Sequence, residues 1–82
     1  MISFYTDSGK FIDSIETGQF SVGDDIEIDY SNDYRRFDGT QPKKIKGKII
    51  KISHSVRFIT NGMKSVYTNV FISLYKGYDG FR

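Results

Sequence analysis

The sequence predicts an all-β fold, a small single-domain antiparallel barrel of about five or six strands. Alanine is absent and leucine occurs once, so two of the best helix formers are almost missing. By contrast, 33 of the 82 residues are β-branched or aromatic: 11 Ile, 4 Val, 5 Thr and 13 Phe or Tyr. These side chains suit a pleated, half-buried surface. Alternating apolar and polar runs, separated by turn residues, point to the same fold.

The first half of the chain contains three predicted strands. Residues 2–6 and 10–17 flank an Asp-Ser-Gly turn signal and predict an N-terminal hairpin spanning residues 1–17. Residues 25–30 alternate regularly, with Ile26 and Ile28 on one side and acidic residues on the other. This alternation predicts a half-buried strand at the start of a barrel core that spans residues 20–76.

Residues 44–54 form the next strand, and its pattern changes phase halfway. Ile45, Gly47 and Ile49 face inward at first; the phase then shifts by one residue, and Ile50, Ile52 and His54 take the apolar positions. A shift of this kind predicts a β-bulge. Gly47 is typical of a sharply coiled strand. Both features would curve the sheet towards closure.

The last two predicted strands, 55–60 and 63–76, flank Asn61-Gly62, the strongest short hairpin signal because both turn residues need positive φ. Residues 77–82 are expected to form a flexible tail. The stretch FSVGDDIEID, followed by a loop and IKGKIIKI, resembles the opening strands of SH3-like small barrels over roughly residues 20–75. This resemblance implies a fold and no functional residues. An OB-type barrel and an open antiparallel sheet are the alternatives.

The formal net charge of +2 hides an uneven distribution. Residues 1–34 hold eight acidic side chains against Lys10, a balance of −7, and residues 35–82 hold eleven basic against two acidic ones, a balance of +9. Lys43, Lys44 and Lys48 belong to a lysine-rich segment that would suit phosphate contacts. If strands 25–30 and 44–50 pair, however, the acidic row faces the lysine row. We expect this charge ladder.

The residues offer no catalytic constellation. There is no cysteine, and His54, the only histidine, continues the apolar phase of Ile50 and Ile52. A nucleophilic triad also needs an orienting carboxylate, and only Asp38 lies within twenty residues of His54. We therefore expect no enzyme and no cofactor, and a partly buried His54 that hydrogen-bonds to backbone.

A calcium-binding loop is excluded because two of its required residues are missing. Asp29, Ser31 and Asp33 occupy its first, third and fifth positions, but Tyr34 replaces the required glycine and Thr40 the bidentate glutamate. No metal site is predicted.

The last strand presents two faces. Val66, Thr68, Val70, Ile72 and Leu74 form the predicted core face. The opposite face carries a candidate aromatic interface of Tyr67, Phe71 and Tyr75. We expect the hairpin 1–17 to cover these aromatics, with Phe4 and Phe11 available, because a small domain rarely leaves such an area bare. The alternative is an exposed patch suited to a protein partner or to a homodimer.

Residues 31–43 form the one long connection and contain the leading candidate site, Tyr34, Arg35, Arg36 and Phe37. Long loops without structure of their own are usually functional or disordered. Arginine and aromatic residues are enriched among interface hot spots. The residues of this loop predict that the protein is a protein-binding adaptor or an inhibitory or accessory factor.

Two other functions fit the sequence: nucleic-acid binding through the loop arginines and the lysines of 43–51, and a homo-oligomeric structural subunit. The small size and the composition, free of alanine and rich in Ile, Lys, Tyr and Phe, would suit a mobile genetic element. With no signal-peptide or membrane-spanning pattern, we expect a cytoplasmic protein that contacts no membrane.

Overall fold

A computed structural model describes residues 1–29 and 44–78, which form one five-stranded sheet curled into a half-barrel. The strands are β1 (Ile2–Thr6), β2 (Phe11–Ile15), β3 (Asp25–Asp29), β4 (Lys44–Phe58) and β5 (Lys64–Leu74). Their order across the sheet is β2-β1-β5-β4-β3. The prediction of a small all-β, barrel-like domain is confirmed. Within these residues, no helix is both long and apolar enough to cross a membrane.

The sheet is mixed, whereas the sequence predicted an antiparallel barrel. β1 runs parallel to β5, with Ile2 opposite Thr68 and Thr6 opposite Ile72, and the other three pairs are antiparallel. A parallel pair needs a long connection, and here most of the chain lies between the two strands. β2 and β3 end the sheet without pairing to each other, so the half-barrel stays open. The finer SH3-like assignment remains a prediction.

One cluster of apolar side chains forms the core on the inner face of the sheet. Its members are Ile2, Phe4, Ile12, Ile45, Ile49, Val70 and Ile72. The alternation predicted for β4 and β5 places their members here, and the N-terminal hairpin adds Ile2, Phe4 and Ile12. Phe20 packs edge-on against Phe4, with ring centroids 5.4 Å apart. Burying each isoleucine contributes roughly 1.5–3 kcal/mol.

β4 shows both predicted curvature devices. Ile49 lies opposite Ile72 and Lys51 opposite Phe71, so Ile50 is the extra residue of a β-bulge. A Cβ at Gly47 would lie 2.5 Å from Ile72 Cγ2 and 2.5 Å from the Ser73 carbonyl oxygen, so β5 crosses too closely for any side chain. The predicted strand 55–60 is not separate, because β4 continues unbroken to Phe58.

The Asn61-Gly62 turn between β4 and β5 is confirmed. Both residues adopt the left-handed conformation, with φ of 64° at Asn61 and 76° at Gly62. The Ile59 N–H donates to the Met63 carbonyl at 2.7 Å and closes the hairpin.

Gly47→Ala should lower the free energy of unfolding by about 1–3 kcal/mol, because the new methyl group overlaps β5 backbone that other strands hold in place. Urea unfolding followed by circular dichroism measures the change. Ser55→Ala, on an exposed position of the same strand, serves as the control and should stay within about 0.5 kcal/mol of the wild type. Equal stability of the two variants would contradict the close approach.

Candidate interaction surfaces on β4 and β5

The leading candidate residues of the loop, Tyr34, Arg35, Arg36 and Phe37, lie outside the described residues, as does Lys43. Their role therefore stays a prediction. The surfaces that the structure does describe lie on the two long strands.

The predicted charge ladder between β3 and β4 is present. Asp25 lies opposite Lys48, Glu27 opposite Lys46 and Asp29 opposite Lys44. The Glu27 carboxylate lies 3.5 Å from the ammonium groups of both Lys44 and Lys46. Exposed pairs of this kind contribute about 0.2–1 kcal/mol each. Lys44 and Lys48 thus face acidic residues, which weakens the field that a phosphate would meet.

Tyr75 is linked to the same ladder. Its hydroxyl donates a hydrogen bond to the Asp25 carboxylate. This bond, together with desolvation and repulsion from the Asp25 charge, raises the pKa of Tyr75 above its usual value of 10.0. Tyr75 is therefore tied to β3 and stands apart from Tyr67 and Phe71.

Phe71 belongs to a row of rings that crosses the outer face of the sheet. Tyr5 stacks on Phe71 with centroids 5.4 Å apart, and Phe11 meets Tyr5 edge-on at 5.8 Å. On the other side, the Lys51 ammonium lies 5.6 Å from the Phe71 ring centroid. Tyr67 has its own cation, the Arg57 guanidinium, at 5.3 Å. The aromatics share one face but have separate partners.

The expectation that residues 1–17 cover this face holds only at Phe71, on which Tyr5 stacks. The hairpin joins the sheet beside β5 and does not lie over it, because β1 pairs with β5 edge to edge. Phe4 consequently points into the core, where it is 3% exposed, and Phe11 is 50% exposed.

The hairpin formed by β4 and β5 extends beyond the rest of the sheet. β3 pairs with β4 only as far as Lys48, and β1 reaches β5 only as far as Thr68. From Ser53 to Tyr67 the two strands therefore pair only with each other among the described strands. We call this segment the arm; it is about 20 Å long.

Large apolar side chains of the arm are exposed. They are Val56 (51% exposed), Phe58 (73%), Ile59 (48%), Met63 (66%) and Val66 (55%). By strand alternation Val56, Phe58 and Val66 lie on the inner face, in line with the core. The assignment of Val66 to the core is therefore wrong, because no described strand reaches far enough to cover it.

The inner face of the arm leads into an open groove of about 710 Å³ at the end of the core. Ile2, Gly18, Gln19, Phe20, Ser21, Ile52, His54 and Thr68 line it. His54 Nδ1 lies 3.1 Å from the Thr68 hydroxyl, its cross-strand neighbour. His54 is exposed, so its predicted partial burial and backbone hydrogen bond are wrong.

The arm and its base are purely basic. Residues 44–78 contain no aspartate or glutamate, and Lys51, Arg57 and Lys64 form no ion pair with any described carboxylate. Lys64 instead lies 5.3 Å from the Phe58 ring centroid. The sequence contained a signal for the arm: residues 44–78 lack acidic side chains, and the two strands within them, β4 and β5, are longer than β1 and β3.

Asp25→Asn should return the pKa of Tyr75 towards its ordinary value, because the variant removes the carboxylate that holds the phenol proton. The raised pKa means that this bond stabilises the fold below about pH 10. That contribution is lost as the pH rises through the Tyr75 pKa of the folded protein. An NMR titration of the Tyr75 ring carbon measures the change. Glu27→Gln is the control; an equal shift in both variants would contradict the specific bond.

Comparison with protein-family models, with curated proteins and with solved structures finds no match for this chain.

Proposed function

We propose that the protein is a non-catalytic protein-binding module, an adaptor or an accessory factor, whose main contact surface is the inner face of the arm. The observation that carries this proposal is the set of exposed apolar side chains on one projecting ribbon, above all Phe58 on its inner face and Met63 at its tip. Contiguous exposed apolar surface marks interaction sites. A two-stranded ribbon is also marginal alone, so it gains stability when a partner buries one of its faces.

Composition favours a protein partner over other ligands. Phenylalanine and methionine are enriched in the cores of protein interfaces, and full burial of either contributes roughly 1.5–3 kcal/mol. Arg57 and Lys64 flank the apolar residues, as expected for a charged rim. The 31–43 loop remains a second proposed contact; the described residues on either side of it, Asp29 and Lys44, pair with each other at the end of β4 opposite the arm.

The double variant Phe58→Ser and Met63→Ser should lose a protein that the wild type retains in affinity purification from the source cells. Both side chains are exposed, so the urea midpoint should stay close to that of the wild type. Val22→Ser replaces a residue that is 61% exposed but lies off the arm, and it should retain the partner. If the arm variant retains every protein that the wild type retains, the proposed surface is wrong.

Nucleic-acid binding is the second candidate, favoured by the acid-free stretch 44–78. Lys44 and Lys48 face acids, so the described cations best placed for phosphates are Lys51, Arg57 and Lys64. Arg35, Arg36 and Lys43 would add to them as proposed contacts from the loop. Phe58 would supply an exposed ring for base stacking.

This second function predicts binding to a mixed single-stranded oligonucleotide, with Lys51, Arg57 and Lys64 contributing about −2 to the log–log salt slope, as expected for three phosphate contacts. Fluorescence anisotropy at increasing salt measures the slope. Replacing Lys51, Arg57 and Lys64 together by Gln should flatten it, and Lys76→Gln should not. Absence of binding at low salt would exclude this function.

A further inference from the structure

The arm has a strand edge to which no described residue pairs. β3 occupies this edge of β4 from Lys44 to Lys48, and the Gly23 N–H and Asp24 carbonyl then bond to Ile49. Beyond the bulge, residues 51–58 hydrogen-bond only to β5 among the described residues. A strand paired on one side presents alternate free N–H and C=O groups on the other.

β3 shows which kind of strand this edge accepts. It alternates acidic residues on the outer face with Ile26 and Ile28 on the inner face. Its acids meet the β4 lysines, and its isoleucines pack against the core. Pairing, charge and apolar burial thus act together on the first part of the edge.

The free part of the edge repeats that chemistry. On the outer face it carries Lys51 and Arg57, with no described carboxylate in an ion pair with either. On the inner face it carries Ile52, Val56 and Phe58, all at least partly exposed. A strand added here would therefore meet positive charge on one side and apolar surface on the other.

We propose that residues 51–58 of β4 accept an extended segment of a partner protein, one that alternates acidic and apolar residues, as an added strand. The proposal rests on the proposed protein-binding function and specifies its mode. Main-chain hydrogen bonds would supply affinity, and the alternating side chains would supply specificity. The inward side chains of the added strand would cover Val56 and Phe58.

Two other occupants fit less well. The described strand ends that lead into residues 30–43 and 79–82 lie near Lys44, since Asp29 pairs with Lys44 and Leu74 with Gly47. The arm is at the other end. Pairing with the same edge of a second copy would bring Lys51 and Arg57 against the same cations, and like charges across a ladder are destabilising.

The test uses the full-length protein and capped peptides whose length matches residues 51–58. The first peptide alternates Glu with Ile; the second replaces Glu by Lys; the third has the composition of the first with its acids grouped at one end. Binding is measured by NMR titration at concentrations at which each peptide alone diffuses as a monomer. Only the first should bind, and it should slow hydrogen exchange at alternate amides of residues 51–58.

A charge swap tests the register of side chains. The variant Lys51→Glu and Arg57→Glu should bind the Glu/Ile peptide about tenfold more weakly, as two reversed cross-strand charge pairs imply. It should also gain binding to the Lys/Ile peptide. Lys76→Glu reverses one positive charge away from the arm and should leave both affinities as in the wild type.

The outcomes separate this inference from the function on which it rests. If the arm variant Phe58→Ser and Met63→Ser loses a cellular partner but no peptide protects the 51–58 amides, strand addition is wrong and the binding module stands. If the peptide binds without added amide protection, or equally well to the charge-swap variant, strand addition is likewise wrong. If the arm variant loses no partner and no peptide binds, both proposals fall.

Discussion

The architecture depends on a mismatch in length between paired strands. β4 has fifteen residues and β5 has eleven, whereas β1 and β3 have five each. The short strands cover one end of the long hairpin, and the core forms there. At the other end the hairpin has no neighbour among the described strands, so the same alternation that buries Ile49 and Val70 leaves Val56 and Val66 exposed. Core and arm are thus two parts of one ribbon.

The bulge at Ile50 determines what the arm presents. A one-residue shift exchanges the two faces of a strand. If Ile50 took a regular position in the ladder, Lys51 and Arg57 would face the groove and Ile52 would face outward. Because Ile50 bulges out of the ladder instead, Ile52, Val56 and Phe58 continue the inner face, and Lys51 and Arg57 continue the outer, lysine-bearing face. The bulge therefore keeps the same two-sided chemistry on both parts of the β4 edge.

Local features of the fold could be predicted from the sequence. The bulge, the Asn61-Gly62 turn and the β3–β4 ladder each depend on residues close together or on a period-2 pattern with matching charges, so the printed sequence contains their signals. The sequence contains no such signal for the parallel pairing of β1 with β5, because this pairing joins strands from opposite ends of the chain. Val66 was misassigned for a related reason: alternation identifies a face, but only the length of the neighbouring strands decides whether that face is covered.

The bulge also explains why β3 and the described residues before it do not pair with residues 51–58 of β4. β3 begins where the bulge begins, and just before it the chain turns away from β4 through Gly23, whose φ is 96°. The Asp24 N–H bonds to the Ser21 carbonyl and closes this turn. A strand that continued along the whole of β4 would have to accommodate the extra residue at Ile50. A separate segment can pair with residues 51–58 in its own register. Meanwhile Lys51 and Arg57 oppose pairing between two arms, which is how natural edge strands avoid aggregation. The same two cations would favour an acidic partner strand, so one pair of charges can both protect the edge and select what binds it.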